Sequence, residues 1–173
     1  MTLQPVVAAA IVDDLAHPTR LLAAARSYPE DLKGLYELPG GKVDPGESPA
    51  PALDREIWEE LGCRITLGPL VCPPLGVQDS RNSNTNRTTT SQNDVLASSR
   101  PIGQPWPILN GRVMWVWLAE VSDGSSTPSA MASHLHLLWV PLHKAAELPW
   151  LSSNGPIVDA VVAQALAGHG GDR

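Results

Sequence analysis

The chain has 173 residues, 43% of them apolar and 17% charged, with a formal net charge of −6. That length fits one domain with a substantial core. The acidic balance argues against gripping a nucleic-acid backbone, which needs clustered Lys and Arg to displace counterions, but it leaves room for a small phosphate ligand that arrives with a divalent ion.

The N-terminal stretch "MTLQPVVAAAIVDD" lacks a basic region, and its apolar run of about seven residues is too short to span a bilayer and wrongly flanked for a signal peptide. A cytoplasmic protein without membrane contact is the expectation. Residues 6–12, "VVAAAIV", read as the first buried strand. "RLLAAARS" (20–27) reads as its partner after a turn punctuated by Asp and Pro. "YPEDLKGLYELPGG" reads as a loop with a short extended piece at residues 35–38, closed by a Gly pair.

A helix follows. Ser48 is a natural N-cap, Pro49 suits the first helical position, and Pro51 still lies in the first turn, where amide hydrogens have no intrahelical partner. Leu53, Ile57 and Leu61 recur at i, i+4 and i+8 as a buried stripe, and Gly62 ends the helix. "CRITLGPLV" (63–71) reads as a strand or two. Residues 78–104 are dominated by Ser, Thr, Asn and Gln and read as a flexible polar insertion within the single domain. "GRVMWVWLAEV" (111–121) is the strongest strand signal, and "HLHLLWVPL" (134–142) is another. "HKAAELPW" reads as a short helix or turn, and residues 156–168 as a closing amphipathic helix. The sum is an α+β architecture, a mixed β-sheet with one central and one C-terminal helix. Cys63 and Cys72 make neither a disulfide framework nor a metal-binding pattern and read as packed, reduced thiols.

The central helix poses a question of charge. Asp44, Glu47, Asp54, Glu56, Glu59 and Glu60 fall between residues 40 and 63, six of the 18 acidic residues. Glu56, Glu59 and Glu60 lie within an arc of roughly 100°, beside the apolar stripe, with Glu60 nearest the core edge. Like charges at this spacing repel by about 0.2–0.5 kcal/mol per pair in water, and partial burial worsens that unless a cation neutralises them. An all-oxygen donor set suits a hard divalent ion, Mg²⁺ first because it keeps waters and accepts phosphate oxygens.

The spacing of the segment is specific. Gly41, five residues, Glu47, seven residues, Arg55-Glu56-Ile57, one residue, Glu59-Glu60, one residue, Gly62-Cys63 resembles the full Nudix box, with Cys63 where the family usually has an aliphatic side chain. A buried Cys packs like a small hydrophobe. The resemblance implies an α/β/α sandwich with a catalytic loop–helix–loop. It implies that Glu56, Glu59 and Glu60 ligate Mg²⁺ or Mn²⁺ together with the Gly40 carbonyl. It further implies that Glu47 and Arg55 pair to fix the loop, with Gly41 and Gly62 structural, and that a helix glutamate, Glu56 first, orients or deprotonates the attacking water.

"YELPGGKV" resembles the entry to the box in the MutT-like branch, whose members hydrolyse nucleoside triphosphates, often oxidised purine ones, to monophosphate and pyrophosphate. The resemblance makes Arg26 a phosphate contact, and Lys42 a second, weaker candidate; either is also readable as an ordinary surface cation. It makes Asn154, in "SSNGP", a reader of the base edge, with Leu38 in the base pocket and Trp115 and Trp117 as further walls. The rival reading of Asn154 is plain Asn-Gly turn chemistry, and Trp at alternate strand positions is more often core. One departure is that Ser133 precedes His134 where the branch commonly carries an acid, which leaves His134 or His136 as substitutes. "GQPWPILNG" (103–111) partly resembles the signature of NADH pyrophosphatases and keeps dinucleotides and nucleotide sugars as alternative substrates, and a non-catalytic nucleotide sensor as a third class. The expected partner is a small nucleotide rather than a nucleic-acid polymer, and the protein either a monomer or a homodimer.

Overall fold

The structure is a computed structural model, and it describes residues 3–74 and 103–167. The expected polar insertion at 78–104 therefore lies outside the described residues, apart from its last two. The described elements run β1 (Val6–Val12), β2 (Arg20–Arg26), β3 (Tyr36–Glu37), β4 (Gly40–Lys42), α1 (Pro49–Leu61), β5 (Ile65–Leu70), β6 (Trp106–Pro107), β7 (Val113–Val121), β8 (His134–Pro141) and α2 (Gly155–Ala167), with two short 3-10 turns at Leu109–Gly111 and Leu142–Glu147.

β1 is central. It pairs in parallel with β7 over its whole length, and antiparallel with β2 and β4. A strand covered on both faces can be apolar throughout, and "VVAAAIV" is: Val7 to Val12 are all buried. Ala8, Ala10 and Val12 face a core layer closed by α2 through Ile157, Val158, Val161 and Ala165. Val7, Ala9 and Ile11 face the opposite layer, closed by α1 through Ala52, Leu53, Ile57 and Leu61. The result is a mixed sheet between two helices, as the sequence leads one to expect. Among the described residues no helix is long and apolar enough to cross a membrane.

Two local expectations are corrected. The Gly pair does not end a loop: it forms β4, with Gly40 opposite Ala8 and Gly41 opposite Val7 on β1. A side chain on Gly40 would collide with the backbone of Val7 and Ala8, so glycine is what allows the two strands to approach. Ser48 occupies the N-cap position, but its side chain makes no capping hydrogen bond. An N-cap side chain bonds the second or third helical amide, and Pro51 at the third position removes one of those two donors. The Ser48 carbonyl still accepts from Ala52 N–H at 3.1 Å. At the other end Gly62 adopts φ 64°, and the α1 carbonyls of Glu60 and Leu61 accept from Met131 and Ser129 of the following loop.

Candidate active site

α1 projects its acidic residues beside the β4 turn. Glu60, on the core edge of the helix, reaches back so that its Oε2 accepts the Gly40 N–H at 3.1 Å. Burial raises its pKa; His134 and the Gly40 N–H work against that, while the negative charges of Glu37 and Glu56 add to it. A sheltered carboxylate with one backbone donor and two acidic neighbours is the electrostatic profile of a group that gains from a cation.

Glu56 lies one turn earlier, against Gly41. A Cβ at Gly41 would overlap its carboxylate, so Gly41 makes room for that side chain. Glu56 Oε1 accepts from Arg55 Nη1 at 2.8 Å. Glu59 is the outermost, 59% exposed, 3.8 Å from Arg55 Nη1. The three carboxylates thus line one edge of the helix without converging on a point, and among the described residues no three acidic, His or Cys side chains do so. The donor set is nonetheless right for a hard divalent ion, since it is all oxygen and Glu60 is desolvated.

Arg55 and Glu47 pair as expected. Arg55 Nη2 donates to Glu47 Oε2 at 2.8 Å and Nε to Oε1 at 3.2 Å, a bidentate fork. The same Nη2 reaches the Lys42 carbonyl at 3.1 Å, so one guanidinium ties together the loop, β4 and α1. Its hydrogen bonds hold Glu47 below the usual carboxylate range and raise its own pKa. Arg55→Lys is expected to keep the charge, lose the fork, and cost about 1 kcal/mol after allowance for solvent screening. Urea melts of the two proteins measure this, and superimposable curves would show that the fork is idle.

The remaining expected residues divide between the two faces of the sheet. Lys42 is exposed on β4, opposite Val6. Arg26 ends β2, where Nη1 pairs with Glu37 and Nε donates to the Tyr28 carbonyl at 3.1 Å. Leu38 is buried in the α2 layer. Asn154 is 3% exposed at the start of α2; its Oδ1 accepts the Leu38 N–H at 3.0 Å and its carbonyl accepts Val158 N–H. That bond joins the segment leading to the Gly pair to the helix on the other side of the sheet.

Trp115 and Trp117 stack on each other, with ring centroids 6.3 Å apart, in the α1 layer. They therefore do not share a pocket with Leu38, which lies in the α2 layer. A third tryptophan, Trp106 on β6, does lie on that side. Trp106 is buried, its Nε1 donates to the Val71 carbonyl at 2.7 Å, and it lines a cavity of about 1440 Å³ with Ile108, Arg112, Ser153 and Asp159. Ser153 is the neighbour of Asn154.

Glu37 carries no signal of its own in the sequence, and the structure sets it against His134. The side chain of His134 is buried, and its Nε2 lies 3.2 Å from Glu37 Oε1. His136 points away, to Tyr36 Oη at 3.0 Å. Both Cys63 and Cys72 are free, and burial pushes the Cys63 thiol pKa up, consistent with a packing role.

Comparison with known proteins fits this geometry. A family model described as NUDIX domain matches residues 2–161. The chain is 48% identical over 126 residues to a Mycobacterium tuberculosis protein named "Putative 8-oxo-dGTP diphosphatase 2", covering 73% of this chain and 82% of that one. It is 29% identical over 163 residues to a CTP pyrophosphohydrolase of Escherichia coli, covering 94% of each. The solution structure of the E. coli ORF135 protein superposes with a TM-score of 0.62 at 29% identity, covering 99% of this chain and 96% of that one.

Proposed function

The chain belongs to the Nudix family, as a MutT-like hydrolase, and on that premise we propose that it cleaves nucleoside triphosphates to monophosphate and pyrophosphate, an oxidised purine (d)NTP such as 8-oxo-dGTP being the leading substrate. The observation that carries this reading is the acidic edge of α1 set against β4: Glu60 desolvated on the Gly40 amide, Glu56 fitted over Gly41, and Glu59 at the rim. The names carried by the relatives, an 8-oxo-dGTP diphosphatase and a CTP pyrophosphohydrolase, support a nucleotide diphosphate linkage as the target and leave the base to be found by experiment.

In this reading Glu56, Glu59, Glu60 and the Gly40 carbonyl hold Mg²⁺ or Mn²⁺. The ion, when bound, supplies charge neutralisation at the phosphate oxygens and a more acidic water. The protein's own part is orientation and proton handling. Arg55 and Glu47 lock the loop onto the helix, so that the carboxylates meet the substrate without reorganising. Glu56, near the middle of the edge, orients the attacking water and takes up its proton. Arg26 meets a phosphate, with Lys42 as an outer cation.

The base lies on the opposite side of the Leu38–Gly40 segment, toward the cavity beside α2. Trp106 offers an anchored aromatic wall there, and Asn154, next in the chain to the lining residue Ser153, has an amide that can both donate and accept once it shifts from the Leu38 N–H. A panel of normal and oxidised (d)NTPs, NADH, ADP-ribose and dinucleoside polyphosphates, with products separated by chromatography, tests the assignment. The expected result is monophosphate plus free pyrophosphate, fastest from an oxidised purine triphosphate. Turnover of dinucleotides alone, with no free pyrophosphate, would move the protein to the alternative class.

A further inference from the structure

Three neighbouring strands bring a row of polar side chains together on the α1 face, and the core packing does not require them. Glu37 on β3 stands opposite Ala24 on β2, so Arg26, two residues on and on the same face, is its diagonal neighbour. On the other edge of β2 the ladder skips: Ala25 pairs with His136, but Arg26 pairs with His134. Leu135 is the extra residue of a bulge, a device that re-aims side chains. In an unbroken ladder Leu135 would face Arg26, and His134 would turn to the α2 side with Tyr36. The bulge is tied down by Ser27, whose N–H donates to the Ser133 carbonyl and whose Oγ donates to the Ala132 carbonyl.

The consequence is a continuous chain of contacts. Ala24 has no side chain beyond Cβ, so Glu37 and His134 meet across β2, Oε1 to Nε2 at 3.2 Å. Ser133 Oγ lies 3.2 Å from His134 Nδ1. A hydroxyl donating to Nδ1 and an Nε2–H donating to Glu37 satisfy both contacts at once. The other oxygen of Glu37 takes Arg26 Nη1. Arg26 Nε is held by the Tyr28 carbonyl, with the guanidinium 5.7 Å from the centre of the Tyr28 ring. A planar guanidinium fixed at both Nε and Nη1 has its plane set, and only its remaining N–H groups are left for a ligand.

We propose that Glu37 and His134 are positioning residues for the reaction: His134 holds the Glu37 carboxylate, and Glu37 holds the Arg26 guanidinium in the orientation in which it meets a substrate phosphate. The inference rests on the assignment of Arg26 as a phosphate contact. The orientational freedom of Arg26 is lost on folding rather than on binding. Glu37 has an opposing effect, because its negative charge weakens the pull of Arg26 on phosphate. The two effects separate in kinetics, since the charge acts on ground-state binding and the orientation on the step that follows.

Glu37→Leu keeps most of the volume and removes both the charge and the acceptors that Arg26 and His134 meet. Positioning predicts a kcat lower by about 10–100-fold with KM unchanged or reduced, and a further loss of less than about threefold when Glu37→Leu is added to Arg26→Ala. A charge effect alone predicts a lower KM at unchanged kcat, and independent damage predicts that the losses multiply; either overturns the proposal. A second arm needs no substrate. ¹⁵N relaxation of the Arg26 Nε–H group should show it rigid in the native protein and mobile in Glu37→Leu and His134→Leu, with rigidity partly kept in His134→Gln, which still has a donor. An Arg26 equally rigid in all variants would also overturn the proposal. If the native protein hydrolyses no nucleotide, the proposed activity fails, while the relaxation arm still decides whether Glu37 and His134 position Arg26.

Discussion

Glu60→Gln is expected to lower kcat/KM by on the order of 10²–10³-fold while raising the melting temperature of the metal-free protein at pH 8. Both effects follow from one carboxylate. The amide oxygen of Gln can still accept the Gly40 N–H, so the local fold keeps its hydrogen bond, but the negative charge that a divalent ion would meet is gone. The sign of the stability change follows from the raised pKa of Glu60, whose first cause is burial. Over the range between the ordinary glutamate value and the raised one, the folded state holds a proton that the unfolded state has released. Stability is therefore lost as pH rises through that range, and the penalty is complete above it. The advantage of Gln should be largest at pH 8 and fade toward the ordinary glutamate range. Mg²⁺ should raise the melting temperature of the native protein and do little for the variant. A variant with near-native turnover would remove Glu60 from the site. One that is less stable at pH 8 would show that the buried charge was already compensated within the protein.

The second large effect separates two adjacent glycines. Gly40→Ala should destabilise the protein by about 3–5 kcal/mol, because the new Cβ meets the backbone of β1 at Val7 and Ala8, which cannot yield without breaking strand pairing. Its φ of 150° adds strain for any L side chain. Gly41→Ala meets only the carboxylate end of Glu56, which can swing aside. Its fold should stand within about 1 kcal/mol, and its kcat/KM should fall about tenfold or more because Glu56 is displaced from its seat. Denaturant melts and kinetics on the two variants give the answer together. Equal stability losses at both positions would mean that Gly41, like Gly40, is pressed against backbone.

What could be read from the sequence was whatever local chemistry decides. The register of α1 was legible because Leu53, Ile57 and Leu61 mark its buried face and Gly62 stops it, and this places Glu60 nearest the core. β1 was legible because a strand buried on both faces leaves an unbroken apolar run. β4 was not, since two glycines carry no strand signal and take their extended form only from pairing with β1. The face of Trp115 and Trp117 was not legible either: a period of two says that they point the same way, but not which helix lies on that side. Trp106 was hidden for a similar reason, because its two-residue strand is defined by pairing with β7 at Met114 and Val113. Glu37 was the most deeply hidden. Its role depends on a diagonal across Ala24 and on a bulge at Leu135, neither of which exists until β3 and β8 have settled on either side of β2. Asn154 could be read both ways, as a turn residue and as a base contact, and the structure gives it a hydrogen bond to Leu38 that serves the fold.

The account turns on whether the acidic edge of α1 takes up a divalent ion. Electron paramagnetic resonance during titration with Mn²⁺, run in parallel on the native protein and on Glu60→Gln, measures this directly. Saturable loss of the free-ion signal in the native protein, rising in step with triphosphate hydrolysis and greatly weakened in the variant, is the predicted result. Identical weak binding by both proteins, with no gain in hydrolysis, would contradict it.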